Sequence, residues 1–413
     1  MSYLEKLLQG VEVEQKALWE VTTWDKKFNA VDNHKQPKTL KYNHLLSNEL
    51  KPLILKKGSV RILTTNETDL WTSDELAGSR LTNAEIVAIP WGGNVIVQYY
   101  NGKFLTGDNR IAVSNDKSYL DTKYLYYFLR NNIKLLSSFY RGSGIKHPSM
   151  SNILDIHIPI PPFNVQKKIV GILDTFTELI TKLNTELTAR KEQYEYYREQ
   201  LFSFDEKDME HLPMGDDRIG KFQRGKRFVK DDIIPEGVPC IHYGEMYTHY
   251  GTWANKSKSF LSEKLVEDKK LRIAENGDVV IVGAGETIED LGKGTAWLGE
   301  KGVVIHDACF SYRSTLNPKY VAYFTRTKQY HNQIKKHISS GKISAIHANG
   351  LSKVLIPVPS PKEQERIVNI LDKFDVLTTS ISEGLPNEIN LRKKQYEYYR
   401  DLLLTFPKGT SIA

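Results

Sequence analysis

The sequence predicts an α+β protein in which two mixed α/β modules alternate with two long helices. Its 413 residues are enough for two domains that each bury a core. The hexapeptide Gln-Tyr-Glu-Tyr-Tyr-Arg occurs twice, at 193–198 and at 395–400, and each copy closes a long apolar repeat that follows a proline-rich segment. A period of roughly 200 residues is too long for a solenoid, so it indicates two module-plus-helix halves related by a pseudo-two-fold axis.

The proline-rich segments mark where each module ends and each helix starts. They read Ile-Pro-Ile-Pro-Pro at 158–162 and Ile-Pro-Val-Pro-Ser at 356–360. Prolines at this spacing hold the chain extended before a helix. Gln166 and Gln364 follow at matching positions, and an Ile-Leu-Asp-x-Phe segment comes next in both copies.

The first long helix is predicted from apolar residues at steps of three and four. Such a seam is typical of a coiled-coil helix of about 40 residues. Core packing within one module would explain a single seam equally well, but two matching seams favour helices that pair. The predicted seam residues are Ile169, Leu173, Phe176, Ile180, Leu183, Leu187, Tyr194, Tyr197 and Leu201.

The second long helix has the same seam with four additional residues. These residues would act as a stutter in a continuous coiled coil. Gly384 and Pro386 lie at the insertion, so we expect a kink or a short break there. The predicted seam residues are Ile367, Leu371, Phe374, Ile381, Leu385, Ile389, Tyr396, Tyr399 and Leu403.

Tyrosines also lie outside the two seams. Tyr196 and Tyr398 occupy the same position in the two hexapeptides and fall on a different helix face from the seam residues. Aromatic residues on a second face predict a second protein partner, so we assign these two tyrosines to partner docking.

The modules share a pattern but little identity. Each is expected to contain a buried strand, a helix, a glycine-containing loop and a final strand, in that order. In the first module these features are predicted at 84–89, 123–130, 142–147 and 153–158. In the second module they are predicted at 277–282, 319–326, 340–345 and 351–356.

Positive charge is concentrated in the modules. The formal net charge is +7, and residues 15–158 and 211–356 each carry about +6. This distribution favours a polyanionic partner, with Lys and Arg binding phosphates and Asn, Gln, Arg and His reading base edges. Candidate DNA contacts in the first module are Lys26, Lys27, Trp91, Asn94, Gln98, Tyr99, Asn101, Lys103, Arg141, Lys146 and His147. Those in the second are Arg224, Lys226, Arg227, His242, Tyr243, Tyr250, Trp253, Lys256, Lys258, Lys342 and His347.

Signals for catalysis, metal binding and export are weak. Cys240 and Cys309 have no spacing typical of a zinc site, and neither a phosphate-binding loop, a GxSxG motif nor an HExxH motif occurs. His306 and Asp307 are expected to be a buried polar pair and not a catalytic one. No segment resembles a signal peptide or a membrane span, so we expect a cytoplasmic protein without catalytic or metal-binding residues.

The proline-rich segments, the two glutamines, the Ile-Leu-Asp-x-Phe segments and both hexapeptides resemble the specificity (S) subunit of type I restriction-modification systems over nearly the whole chain. The resemblance implies target recognition domains at 1–158 and 207–356 and conserved helical spacers at 159–206 and 357–413. The helices would pack as an antiparallel coiled coil. Each domain would read one half of a bipartite, asymmetric site in double-stranded DNA.

The same resemblance implies a subunit that is not catalytic by itself. Two modification (methyltransferase) subunits would dock on the helices, and restriction subunits would complete an ATP-dependent nuclease. The chain would need no cofactor, while its partners would use S-adenosylmethionine, ATP and Mg. Two alternatives remain: a coiled-coil DNA-binding or interaction protein outside restriction-modification, and a stand-alone DNA-modifying enzyme.

Overall fold

The computed structural model describes residues 3–8, 10–205, 207, 209–285, 288–339, 341 and 343–406. The chain divides into two compact units, the first made of residues 1–182 and 389–413 and the second of residues 183–388. Each unit combines one predicted module with parts of both long helices. No helix in the described ranges is long and apolar enough to cross a membrane.

The first unit is built around a six-stranded mixed sheet. Its strands lie in the order Thr22–Trp24, Asn109–Ser114, Thr82–Pro90, Gln98–Thr106, Val60–Leu63 and Leu70–Thr72. All neighbours are antiparallel except Val60–Leu63 with Gln98–Thr106. Two further antiparallel pairs join Glu14–Ala17 to His157–Ile160 and Tyr140–Arg141 to His147–Pro148.

Short helices surround this sheet. The α-helices of the module are Tyr3–Leu8, Leu18–Val21, Ser47–Leu50, Asp74–Ala77, Thr122–Asn131, Ile133–Ser138 and Met150–Leu154. The 3-10 turns are Asn33–Lys35, Lys51–Leu53 and Gly78–Arg80. Helix Thr122–Asn131 begins where the Asp121 carboxylate accepts hydrogen bonds from the N–H groups of Lys123 and Tyr124, as an N-cap residue does.

The second unit divides its strands among smaller sheets. The largest has the order Gly220–Arg224, Cys309–Ser314, Val279–Val282, Gly294–Trp297 and Trp253–Ala254. The next has the order Ser259–Leu261, Val238–Ile241, Val303–Ile305 and Ile273–Ala274. The remaining sheets are Ala284–Gly285 with Ser344–Ile346 and Ile338–Ser339, and His211–Pro213 with Leu355–Pro357.

The helices of the second module are also short. The α-helices are Glu245–Thr248, Glu263–Asp268, Pro318–Phe324, Lys328–Ile334 and Ala348–Ser352. The 3-10 turns are Lys230–Asp232, Ile288–Asp290 and Lys335–His337.

The predicted strands at 84–89 and 277–282 and the predicted helices at 123–130 and 319–326 are confirmed to within three residues of their ends. The predicted final strands are wrong in their first four residues, because a short helix precedes each strand. The strands themselves start at His157 and Leu355. Apolar runs this short have no periodicity that separates a buried helix from a strand.

The long helices differ in continuity. The first runs without interruption over Phe163–Leu201, whereas the second consists of two segments, Pro361–Thr379 and Gly384–Leu404. Gly384 has φ +70°, and a Cβ there would collide with the Val376 carbonyl oxygen. The break confirms the prediction, and its four residues, 380–383, equal the insertion in number. Ile381 lies in this break with its side chain 86% exposed, so its assignment to the seam is wrong.

The helices pair in an antiparallel sense within each unit. In the first unit Phe176 stacks on Tyr399 at 5.4 Å, while Leu173 and Leu403 are fully buried in the same core. In the second unit the rings of Tyr194 and Tyr197 stack on Phe374 at 6.0 and 5.5 Å. There the more N-terminal seam residues Ile367 and Leu371 share a core with the more C-terminal Leu201 and Phe202. Together with the two mixed α/β units, these pairs confirm the predicted fold class.

The repeated polar residues fasten each long helix to its module. In the first unit the buried Gln166 amide accepts from the Asp121 N–H at 2.9 Å and donates to the carbonyls of Tyr119 and Pro161 at 2.8 Å each. Asp174 accepts from the Tyr127 hydroxyl at 2.6 Å and from Lys123 Nζ at 2.7 Å.

The second unit repeats this arrangement with matching neighbours in its own module. Gln364 accepts from the Asn317 N–H at 2.7 Å and donates to the Pro359 carbonyl at 2.8 Å. Asp372 accepts from the Tyr323 hydroxyl at 2.7 Å and from Lys319 Nζ at 2.8 Å. These matching contacts explain the repeated Gln and Asp by structure alone.

Candidate nucleic-acid interface

Each unit contains a corner where a central strand, the turn after it and a hairpin come together. In the first unit Pro90 pairs with Asn109, and the Trp91 N–H then donates to the Asp108 carbonyl at 3.0 Å. In the second unit Val282 pairs with Cys309, and the Gly283 N–H donates to the Ala308 carbonyl at 2.7 Å. The two positions are therefore equivalent. We call residues 91–94, 108–110 and 140–148 the first corner, and residues 227–230, 242–243, 283–285, 306–309, 338–339 and 343–346 the second corner.

Aromatic and basic side chains stack at the first corner. The Arg110 guanidinium lies 3.8 Å from the centre of the Trp91 ring, and the ring of His147 lies 5.4 Å from that of Trp91. His147 Nδ1 is 2.7 Å from the Trp91 carbonyl oxygen, and the Gly93 N–H donates to the Lys146 carbonyl at 3.0 Å. The turn and the hairpin thus support each other.

Three predicted cationic or polar residues border this stack. Arg141 pairs with His147 across the hairpin, and Arg141, Lys146 and Asn94 are all exposed. Arg110, in strand Asn109–Ser114, was not predicted and is only 4% exposed. Its contact with Trp91 could not be read from the sequence, because the pairing of the two strands brings these residues together.

Four rings meet at the second corner around a cavity of about 320 Å³. The ring of His242 lies 4.6 Å from that of Tyr243 and 4.7 Å from that of His306. Phe228 contacts His306 edge to face at 5.2 Å. Arg227, Lys230, Asp307 and Ile343 also line the cavity. The structure therefore brings the predicted Arg227, His242 and Tyr243 together with the predicted pair His306 and Asp307, and with Phe228, Lys230 and Ile343, which the sequence did not single out.

Burial disfavours the protonated form of the two histidines. It lowers the pKa of His242 and the pKa of His306, and for His306 the nearby Asp307 carboxylate partly offsets the effect. His306 Nδ1 lies 3.1 Å from the Ala308 backbone nitrogen and 3.0 Å from Asp307 Oδ1, so the N–H favours this ring nitrogen as an acceptor and the carboxylate favours it as a donor. His306 is 9% exposed and its Nδ1 lies 3.0 Å from the Asp307 carboxylate, whose side chain is 33% exposed, so the predicted polar pair forms but only its histidine is buried. Positive charge at this corner thus comes from Arg227 and Lys230.

Other predicted contacts of the first module lie along strand Gln98–Thr106 and have protein partners. The Gln98 amide donates to the Thr64 carbonyl at 2.8 Å, and Lys103 pairs with Asp74. The Tyr99 hydroxyl donates to Glu85 at 2.9 Å, and burial together with Glu85 raises the pKa of Tyr99. Asn101, Lys26 and Lys27 are exposed.

The remaining predictions for the second module are divided between surface and core. Tyr250 is 8% exposed and its hydroxyl accepts from the Lys258 N–H at 2.9 Å, so its prediction as a DNA contact is wrong. The sequence does not reveal this burial, because Tyr250 lies between other aromatic residues, Tyr247 and Trp253, with no pattern that marks an inward-facing position. Arg224 donates to the Asp307 carbonyl at 2.8 Å and Lys226 to the Lys269 carbonyl at 3.4 Å. Exposed residues are Trp253, Lys256, Lys258 and His347, while Lys342 lies outside the described residues.

The two predicted docking tyrosines are among the most exposed aromatic side chains. Tyr196 is 60% exposed and Tyr398 is 64% exposed. Each contacts the next tyrosine edge to face, Tyr197 at 5.6 Å and Tyr399 at 5.4 Å. Tyr197 and Tyr399 in turn stack on Phe374 and Phe176 of the paired helix segments, and these contacts support the exposed rings of Tyr196 and Tyr398.

Groups suited to other chemistry are few in the described ranges. Burial raises the pKa of the Cys240 and Cys309 thiols to about 12 each, which disfavours a reactive thiolate. No group of three or more His, Cys, Asp and Glu side chains that could hold a metal ion occurs among the residues that the structure describes.

Comparison with known proteins places these features in one family. Residues 38–190 and 207–391 match the family model of the type I restriction modification DNA specificity domain. The chain is 34% identical to the specificity subunit of the type I restriction enzyme EcoR124I/EcoR124II of Escherichia coli, over 100% of this chain and 99% of that one.

Two solved structures have the same fold. The S subunit of a type I restriction-modification system from M. genitalium aligns with a TM-score of 0.57 at 16% identity, over 99% of this chain and 100% of that one. A chain from a structural study of complex assembly and conformational transition in the type I system aligns with a TM-score of 0.55 at 14% identity, over 95% and 98%. The chain therefore belongs to the type I restriction-modification DNA specificity family.

Proposed function

We propose that this chain is the DNA specificity subunit of a type I restriction-modification complex. In this proposal each unit reads one half of a bipartite, asymmetric DNA site. The observation that carries it is the pair of corners, where one backbone arrangement supports different aromatic and basic side chains. Equivalent surfaces with different chemistry suit two readers of different sequences.

The first corner offers both kinds of contact that a duplex requires. Arg141 and Lys146 are exposed cations for phosphates, while Asn94 and His147 supply groups that hydrogen-bond to base edges. The Trp91 ring, fixed by Arg110, gives the surface a stiff support. At the second corner, Arg227 and Lys230 would bind phosphates and the neutral His242 could donate to or accept from a base.

The long helices would set the spacing between the half-sites. Four residues added in a helix lengthen it by roughly 6 Å, or one to two base pairs at about 3.4 Å each. Inserting four residues after Leu187, inside the uninterrupted helix, should lengthen the preferred spacer and leave both half-sequences unchanged. A spacer of unchanged length would contradict this role.

Docking of two modification subunits is assigned to Tyr196 and Tyr398. Replacing both with alanine should weaken assembly without unfolding the chain, because more than half of each ring is exposed. Gel filtration of the chain mixed with modification subunits measures this. Tyr119→Ala is a suitable control, since that tyrosine is also exposed but lies in the first module. Unaltered assembly of the double variant would exclude these tyrosines from the docking surface.

Catalysis is assigned to the partners, which would use S-adenosylmethionine, ATP and Mg. The test is adenine methylation by the chain alone, by modification subunits alone and by the mixture. Methylation at one bipartite site only in the mixture is the expected result, and mapping the methylated adenines in genomic DNA reports both half-sites and the spacer. Sequence-specific DNA binding without methylation in the mixture would favour a DNA-binding protein outside restriction-modification, and methylation by the chain alone would favour an enzyme.

A further inference from the structure

The two corners share one exposed apolar side chain although most of their other side chains differ. Arg141 pairs with His147 in the first hairpin, and Ser339 pairs with Ala345 in the second. Ile145 and Ile343 each lie two residues before the second member of these pairs, so their positions are equivalent. Their side chains are 69% and 62% exposed.

The position of Ile145 is fixed by its surroundings. Gly142 has φ +145°, and a Cβ there would lie 2.7 Å from the Ile145 carbonyl oxygen. A Cβ on Gly92 would lie 2.8 Å from Ile145 Cγ2, so the turn after the central strand makes room for this side chain. Ile343 likewise lines the second cavity together with Ala284 and Gly285, the equivalents of Gly92 and Gly93. Both isoleucines thus project from a supported hairpin.

The charge around the isoleucines indicates what covers them. Arg141 and Lys146 flank Ile145 in its hairpin. Arg227, Lys230 and the single carboxylate of Asp307 line the same cavity as Ile343, so cations outnumber anions there. Such surroundings attract a polyanion. Nucleic acid offers an apolar side chain the faces of its bases, and proteins that bend DNA insert Ile, Leu, Phe or Met between base steps.

The same residue, isoleucine, at both positions indicates a contact that does not depend on the base sequence. The neighbours of the two isoleucines in the hairpins, Lys146 and His147 against Ser344 and Ala345, are not alike. A residue that stays the same where its neighbours change suits a contact that both half-sites can provide whatever their sequence. Contact with the face of a base pair meets this condition, whereas contact with a thymine methyl group requires a particular base.

We propose that Ile145 and Ile343 insert against the base pairs of the bound duplex, and that each partly unstacks one base step in its own half-site. The inference rests on the proposed DNA-reading role and adds to it a pair of sequence-independent apolar wedges. The ligand is the duplex itself, and the contact involves no phosphate.

The test uses the full chain with its modification subunits and a duplex that carries the mapped methylation site. The fluorescent base 2-aminopurine, which brightens when it is unstacked, is placed at successive positions through each half-site, except at the methylated adenine and the bases next to it, because a methyltransferase unstacks its target base. The wild-type complex should brighten one step in each half. Ile145→Ala should abolish the rise in the first half only, and Ile343→Ala in the second half only, each with about tenfold weaker binding. The salt dependence of binding should not change, because no phosphate contact is lost.

Matched controls are Ile54→Ala in the first unit and Ile273→Ala in the second, since both side chains are partly exposed isoleucines outside the hairpins. Both controls should retain the fluorescence and the affinity. Normal DNA binding by the wild type with fluorescence that persists in both hairpin variants would overturn this inference alone. Weaker assembly with modification subunits at unchanged DNA affinity would also overturn it, by making the isoleucines a protein contact. Failure of the wild-type mixture to bind any site specifically would overturn the proposed function as well.

Discussion

The first and second corners share the pairing of a central strand, the turn after it and a hairpin, and they reach a rigid aromatic surface in different ways. At the first, one large ring, Trp91, is fixed between Arg110 and His147. At the second, the equivalent residue is Gly283, and His242, Tyr243, Phe228 and His306 surround a cavity instead.

The difference shows which parts of the chain can vary independently. Strand register and the ties of Gln166 and Gln364 hold the framework constant. Side chains at the corners take part only in local packing, so they can change without disturbing the strand register or these ties. A duplicated chain can therefore keep one architecture while each half acquires its own DNA-reading surface.

The largest expected effect concerns the shared framework. Gln166→Ala removes a fully buried amide with three hydrogen bonds, and Gln364→Ala one with two, so we expect losses of roughly 3 and 2 kcal/mol in the free energy of unfolding. Urea unfolding, with hydrogen exchange to locate the loss, measures both. Gln200→Ala, at an exposed helix position, is the control. A large loss in one unit alone would show that the framework is not shared.

The corners should be separable by half-site. Trp91→Ala should reduce discrimination in one half of the DNA site, and Tyr243→Ala in the other, each by about ten- to hundredfold, since the rings support the contacts to bases. Competition with duplexes altered in one half or the other measures this effect. Trp71 also has a stacked arginine, Arg61 at 5.0 Å, but lies outside the corner and serves as the control. If both variants affect the same half, the equivalence of the corners is wrong.

Acid sensitivity should distinguish the second unit. Burial lowers the pKa of His242 and of His306 in the folded state. Their contribution to the free energy of unfolding is therefore fully present above the unfolded pKa of about 6.5. It is lost as the pH falls through the lower folded pKa, because the unfolded state binds protons first. His306→Asn, whose side-chain oxygen can still accept from the Ala308 N–H, should lose less stability between pH 7.5 and 5.5 than the wild type. Equal losses in both proteins would mean that His306 does not contribute.

The smallest effect concerns phosphate contacts. Arg141→Ala and Lys146→Ala should each lower the salt dependence of DNA binding by about one and weaken binding to all sequences similarly. The same effect is predicted for Lys342. Lys134→Ala, an exposed lysine on helix Ile133–Ser138, should leave the slope unchanged. Weaker binding to the specific site alone would instead identify base contacts.

The fold was largely predictable because its signals are local. Seam spacing, prolines before helices and Gly384 each act on a few neighbouring residues, and the structure confirms the helices and the break. The candidate interface was only partly predictable. Trp91, Arg141, Lys146 and His147 formed one group as loop residues, but Tyr250 proved to be a core residue and Arg110 was missed.

The sequence by itself determined the duplication, the long helices and the repeated Gln and Asp positions, since these follow from spacing along the chain. Only the tertiary structure decided which aromatic and basic residues meet. His242 and His306 are 64 positions apart and become neighbours because strands Val238–Ile241 and Val303–Ile305 pair in parallel. Ile145 and Ile343 occupy matching positions in the two predicted loops, but their exposure was decided only by the packing of the hairpins and cannot be read from the residue type.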